Sequence, residues 1–347
     1  MGPVHVPRAT IVVAPRERYS TVIETLEELF RTVSESDEII VVEGGSPSGI
    51  KSQIRQYAIA ERIRWVEREE PVLPNVARNV GVELARGEYV VFVDNDIRFE
   101  AGWLDALVAR AEADSADVVA PLICIGPPRA TTIHHAGGVL VAEKGESGVE
   151  VREKHRLMNV PLSDFDPDAA PTTNTVSEFH CFLARKSFLN RIGPLDERLI
   201  TREQMDFALR ALVHEAVVRF ERDAVVTYFA YDKFSRSDLS YHLFRWSDQI
   251  AQLSIRSFEE TWGLELDAQR IRFRWIARHR ERAVRSAFPV FSRLAPAAVF
   301  RLFLRALERR ADKQAHAAIR DMAPGHSIPK DSVLEAIQKI EATPHVG

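Results

Sequence analysis

One segment constrains this chain more than any other: the apolar run Tyr89-Val90-Val91-Phe92-Val93, which ends abruptly in Asp94-Asn95-Asp96. A continuous apolar run rich in β-branched residues reads as a strand buried on both faces, the kind found in parallel sheets covered by helices. Ala9–Ala14 and Glu38–Val42 are further strands of this type, with a shorter one at Ile63–Val66. Helical patterns at Tyr19–Val33, Ile50–Ala60 and Asn75–Ala85 separate them; in the first, Val22, Leu26, Leu29 and Phe30 recur at helical spacing. This alternation predicts an α/β fold with ligands bound beyond the carboxyl ends of the strands.

After Asp117 the pattern is less regular. Strands are expected at Val118–Ala120, Gly138–Val141, Phe179–Leu183 and Ala224–Tyr228, and the polar stretch Ser163–Thr175 reads as a mobile loop. Beyond Ser240 the chain turns helical, so residues 1–240 are expected to form the α/β domain and 241–347 a helical C-terminal region. With 46% hydrophobic and 28% charged residues the chain is an ordinary globular one, which excludes wholesale disorder. A net charge of −4 excludes the diffuse basicity of a nucleic-acid binder.

The charge is nevertheless uneven: residues 269–310 hold twelve arginines against two glutamates. There Arg270, Arg274, Arg278, Arg282 and Arg285 recur at helical spacing among Ile271, Trp275, Val284 and Phe288. Such a segment can rest on anionic lipid, or pack its apolar face on the catalytic domain or on a second copy in a homo-oligomer. Cys124 and Cys181 fit no disulfide framework or metal spacing, and no apolar run is long enough to span a bilayer. The start lacks a secretory signal pattern. A cytoplasmic chain is expected, with peripheral contact at the membrane inner face through residues 269–310 left open.

Two carboxylates one residue apart at the end of a buried strand need a reason. Alternation puts one at the strand end and the other over the mouth of the sheet. There they suit Mn²⁺ or Mg²⁺ bound to a diphosphate, since such cations take one or two carboxylates and complete their shells with phosphate and water. The plain alternative is a polar turn that caps the helix beginning near Gly102.

Four segments in order, Ile11-Val12-Val13-Ala14, Val41-Val42-Glu43-Gly44-Gly45-Ser46, Asn75-Val76-Ala77-Arg78-Asn79-Val80-Gly81 and Gly87 to Asp96, carry a resemblance. A fifth runs from Ile192-Gly193-Pro194-Leu195-Asp196-Glu197 to Glu203-Gln204-Met205-Asp206 and on to Arg210. Over about Thr10–Tyr228 the chain resembles a family 2 glycosyltransferase of the GT-A fold. The resemblance implies a nucleoside-diphosphate sugar donor, with UDP favoured, and a glycan, glycolipid or other hydroxyl acceptor. It places Ala14, Glu43, Gly44, Arg78, Asp94 and Asn95 at the donor, with Glu43 standing where the family has an Asp for the nucleobase. Asp94 and Asp96 would hold Mn²⁺ or Mg²⁺, and Glu178 and His180 would face the acceptor.

The family's base position is occupied by Gln204, which cannot accept a proton. Glu203 or Asp206 would have to substitute, unless the reaction retains configuration and uses no base; both residues would otherwise simply charge a helix N-terminus. Inversion is the leading expectation. A catalytically inactive module that binds nucleotide sugars is the rival, whereas a nucleotidyltransferase lacks its Gly-rich phosphate loop followed by Lys. His180 can equally be a buried, hydrogen-bonded histidine. His134 and His135, adjacent on a strand, should point apart and share no metal. Asp232 and Asp238 read as solvated loop residues.

Overall fold

The computed structural model describes residues 6–126, 130–145, 148–170, 172–229, 234–268, 270–320, 322, 325 and 328–342. The N-terminal third alternates as the sequence predicts: β1 (Ala9–Ala14), α1 (Val22–Thr32), β2 (Glu38–Gly44), α2 (Ser48–Ile59), β3 (Arg64–Arg68), α3 (Pro74–Leu84) and β4 (Tyr89–Asp94). Every residue of β1, β2 and β4 is buried, which is why they read as unbroken apolar runs. Pro74 sits at the start of α3, where its missing N–H has no role to fill. Gly81 of α3 lets the helix close on β1; a Cβ there would lie 2.2 Å from Val12 Cγ1.

The middle of the chain adds β5 (Ile97–Phe99), α4 (Trp103–Ala113), β6 (Val118–Ile125), β7 (Thr132–His135), β8 (Gly138–Lys144), β9 (Val149–His155), β10 (Cys181–Arg185), α5 (Lys186–Ile192), α6 (Glu203–Val213) and β11 (Val218–Tyr228). The main sheet has the order β3-β2-β1-β4-β10-β6-β11-β5, with β7 paired to β6. Strands β3, β2, β1 and β4 are mutually parallel, and β10 enters antiparallel between β4 and β6. This is a mostly parallel, helix-flanked sheet, as the resemblance leads one to expect. β8 and β9 form a separate antiparallel hairpin.

Three differences from the sequence reading matter. Strands β5 and β9 were not foreseen, being short or too polar to show an apolar pattern, whereas the strand read at His134 and His135 is β7. The strand expected at Phe179–Leu183 begins only at Cys181, so His180 belongs to the mouth of the sheet. Within the stretch Ser163–Thr175, a 3-10 turn at Leu162–Asp164 opens the segment and Thr173 bridges to Arg219.

The C-terminal region comprises α7 (Arg236–Arg245), α8 (Asp248–Trp262), a π-helical segment Arg270–Ile276, α9 (Ala277–Ala287), α10 (Pro289–Leu294), α11 (Ala297–Arg320) and α12 (Lys330–Ala342). Residue 240 falls inside α7, a helix opened by a reciprocal Ser235–Asp238 capping box. Trp262, Ile271, Ile276, Ala315, Ala336 and Ile340 share a core with Met205 and Leu209 of α6. The inner face of the basic segment is therefore packed on protein. Its outer corner is not: Val290, Leu294, Val299 and Leu302 are exposed. Among the described residues, no helix is long and apolar enough to cross a membrane.

Candidate active site

Parallel pairing brings the ends of β1 and β4 level, with Ala14 opposite Asp94. The turn beyond β4 is held by the loop leaving β1. Asn95 Oδ1 accepts the Arg16 backbone N–H at 3.1 Å, and its Nδ2 donates to the Arg18 carbonyl. Both ends of the Asn95 amide are thus engaged within the chain.

Asp94 is fully buried and surrounded by donors. Arg16 Nη1 donates to Oδ2 at 2.8 Å, Arg78 Nη2 donates to Oδ1 at 2.9 Å, and His180 Nδ1 lies 3.1 Å from Oδ2. Burial opposes the charge of Asp94, but Arg16, His180 and Arg78 outweigh it and hold the carboxyl well below the usual carboxylate range. Arg78 is itself buried, with its guanidinium 4.5 Å from the Phe179 ring, so it is no surface helix arginine.

Asp96 is the opposite case. It is equally buried, yet neither carboxylate oxygen has a hydrogen-bond partner. Burial, and then the charge of Asp94, push its carboxyl up to about 8. An unpaired buried carboxylate is expensive, and a cation is one remedy. Ligand atoms of Asp94, Asp96 and His180 lie within 4.8 Å of one another. Burial and Arg16 push His180 down to about 4, so its imidazole is neutral near pH 7 and can act as a donor. Two carboxylates and a neutral imidazole suit Mn²⁺; the aspartates alone suit Mg²⁺.

Toward β2 the site is narrow. Ala14, Glu43 and Asn95 border a pocket of about 10 Å³, room for roughly one water. A nucleoside does not fit there in this conformation. Glu43 is buried, and burial raises its carboxyl, offset in part by Ser46 and Lys51. Glycine at 44 and 45 answers a need within the chain: a Cβ at Gly44 would lie 2.0 Å from the Glu70 carbonyl oxygen, and Gly45 has φ +76°.

The open space lies on the other side of Arg16, in a cavity of about 460 Å³. Glu178 and His180, just before β10, line it together with Glu203 and Gln204 at the start of α6 and Glu153 and His155 at the end of β9. Glu203 stands between two arginines, 3.9 Å from Arg78 Nη1 and 3.7 Å from Arg245 Nη2. Gln204 Nε2 donates to both oxygens of Glu153 at 3.0 Å, and Arg202 Nη1 donates to Glu153 at 2.6 Å. Asp206 is outside the cavity wall: it accepts the Trp262 indole N–H at 2.8 Å and lies 3.8 Å from Arg210. The His134 ring lies 5.3 Å from the His180 ring and 6.0 Å from the His155 ring, and the His135 ring lies 5.0 Å from the His155 ring.

Five contributors escaped the sequence reading: Arg16, Glu153, His155, Arg202 and Arg245. On β9 the alternation Val149, Val151, Glu153, His155 marks one face, but it turns polar where it enters the cavity and so resembles a solvated strand. Asp238 corrects the reading more sharply. It is buried, caps α7, and accepts the backbone N–H groups of Tyr19 at 2.9 Å and Ser20 at 3.0 Å, which ties the β1–α1 loop to the helical region. Asp232 lies outside the described residues.

Comparison with known proteins agrees with this architecture. A crystal structure of GalNAc-T7 with UDP, GalNAc and Mn²⁺ superposes with a TM-score of 0.51 at 15% identity, covering 83% of this chain and 59% of that one. Polypeptide N-acetylgalactosaminyltransferase 15 of Homo sapiens is 30% identical over 122 residues, 34% of this chain and 19% of its own length. The uncharacterized glycosyltransferase EpsJ of Bacillus subtilis is 30% identical over 115 residues, 33% of each chain. The chain thus spans about a fifth to a third of the length of these curated relatives. The family described as Glycosyl transferase family 2 matches residues 10–193, more than half of the sequence, taking in β1 from its second residue and all of β2 to β4 and β10, and this chain belongs to it.

Proposed function

We propose that this protein is a metal-dependent glycosyltransferase that moves a sugar from a nucleoside diphosphate, UDP in the leading reading, to a hydroxyl of a glycan or glycolipid. The observation that carries this reading is Asp96: a buried carboxylate with no hydrogen-bond partner, at the carboxyl end of β4 in a family 2 chain, beside Asp94 and His180. Asp94, Asp96 and His180 would hold Mn²⁺, or the aspartates Mg²⁺. Bound there, the cation would offset the charge gathering on the departing diphosphate. Arg16 and Arg78 fix the direction of Asp94, and their residual positive charge favours a phosphate-bearing donor nearby. Seating the nucleoside against Ala14 and Glu43 requires the β1–α1 loop to move outward.

For inversion, Glu203 is the carboxylate we assign to take the acceptor proton, because it lines the cavity whereas Asp206 does not. Gln204, clasped to Glu153, supports a second reading in which the domain binds donor without turning it over. The exposed apolar corner of α10 and α11, with Arg293, Arg301 and Arg305 beside it, supports peripheral docking on anionic lipid, which would present a lipid-linked acceptor.

The test is a thermal-shift screen of nucleotide sugars with and without Mn²⁺, followed by donor hydrolysis and transfer. A donor that raises the melting temperature only with Mn²⁺, and turnover reduced about 100-fold or more in Asp96→Asn, supports the transferase. Binding without turnover favours the second reading, and undiminished turnover in Asp96→Asn rejects the cation assignment.

A further inference from the structure

Besides the Asp94 group, one other set of three ligand-bearing side chains converges among the described residues: Glu153, His155 and Glu178, their donor atoms all within 4.8 Å of one another. His155 Nε2 lies 3.3 Å from Glu178 Oε1 and 3.6 Å from Glu153 Oε2, and the His155 side chain is only 6% exposed. Neither of its ring nitrogens makes a hydrogen bond of acceptable geometry. Glu178 is also buried, and His155 is its only charge partner within 4 Å among the described residues. One imidazole and two carboxylates that close on one point in this way can share a cation.

We propose that Glu153, His155 and Glu178 form a second divalent-cation site, separate from the aspartate pair, that takes Zn²⁺ or Mn²⁺. An imidazole with two carboxylates suits these ions better than Ca²⁺ or Mg²⁺, which prefer oxygen throughout. Three protein ligands leave a coordination position open, and all three residues line the cavity, so a water or an acceptor oxygen can complete the shell. Without a cation, the imidazole carries the compensating charge: burial opposes it, but Glu153 and Glu178 raise His155 to about 9. The cation takes the place of that proton.

The site also accounts for the residue at position 204. A carboxylate there would repel Glu153, whereas the Gln204 amide donates to both of its oxygens and, with Arg202, fixes their direction. Gln204 and Arg202 are therefore positioning residues for a ligand, which is a role a base could not fill.

The test needs no nucleotide and no turnover, so it stands apart from the transferase reading. Wild-type protein, Glu178→Gln, His155→Ala and Asp96→Asn are stripped with chelator and titrated with Zn²⁺ alone by calorimetry. Co²⁺ absorption in the visible gives a second readout. Circular dichroism establishes folding, and Glu178→Gln preserves the shape of the site should His155→Ala unfold. Glu178→Gln and His155→Ala are each expected to bind one equivalent fewer than wild type and to lose the same Co²⁺ bands, bands that Asp96→Asn keeps whatever becomes of the aspartate site. Wild-type stoichiometry in Glu178→Gln and His155→Ala overturns the proposal, as does loss of those same Co²⁺ bands in Asp96→Asn.

Discussion

The two polar groups beside Arg16 are made of similar residues and are held in opposite ways. Asp94 and Asp96 lie one residue apart at the end of a single buried strand, and the arginines Arg16 and Arg78 saturate one of them while leaving the other bare. Glu153, His155 and Glu178 come from a hairpin strand and the loop before β10, with Gln204 of α6 reaching 51 positions along the chain to clasp Glu153. The first group is a property of one strand and its cations. The second exists only once the hairpin, the loop and α6 have come together.

That contrast sets the order of expected effects. Removing the saturated carboxylate should do most damage: Asp94→Ala leaves Arg16, Arg78 and their neighbours as uncompensated buried charges, which costs about 3–5 kcal/mol by chemical denaturation. A loss under 1 kcal/mol would mean that the arginines find other partners and that the lip is looser than its distances imply. Next comes Asp206→Ala, which strands the Trp262 N–H and should cost about 1–3 kcal/mol while leaving the turnover of folded protein within about threefold. Under the same assay Glu203→Gln should also cost stability, since it leaves the buried Arg245 without its carboxylate at 3.7 Å, and should remove most turnover of the folded protein. The reverse pattern of turnover would exchange the two assignments.

A smaller effect should appear in the pH dependence of the cation-free protein. The folded-state pKa of Asp96, about 8, lies above its ordinary value of 3.8, so between those limits the native state holds a proton that the unfolded chain has lost. Stability from this group is therefore complete below about pH 4 and falls away as pH rises through about 8. Melting temperatures in chelator at pH 5.5, 7 and 8.5 should fall more steeply for wild type than for Asp96→Asn, and Mn²⁺ should flatten the wild-type curve. Parallel curves would remove Asp96 as the bare member of the pair. Last, vesicles containing anionic lipid should retain about tenfold less of a Leu294→Asp, Leu302→Asp double variant than of wild type, with no difference on neutral vesicles.

The same contrast explains what the sequence could tell. β1, β2 and β4 are buried on both faces, so their apolar character is continuous and their carboxyl ends, with Asp94 and Asp96, are visible in one dimension. β9 has one exposed face and a cavity-facing end carrying Glu153 and His155, so its pattern resembles a polar loop. Arg16 and Arg245 follow no local rule; they matter because distant backbone brings them to Asp94 and Glu203. Asp238 misled for a related reason. A serine three residues before an aspartate is a capping signal, but the burial of that carboxylate comes from the β1–α1 loop laid over it, more than two hundred positions away in the chain.

That last contact has a mechanical meaning. The β1–α1 loop, which the proposed donor seating would displace, is fastened to α7 at several points: Asp238 grips Tyr19 and Ser20, the Tyr241 hydroxyl donates to the Pro15 carbonyl, and Arg245 donates to the Arg16 carbonyl. α7 in turn packs on α9 and α11. Under the proposed function, anything that settled on those helices would brace or tug the β1–α1 loop, so docking and donor admission would share one lever.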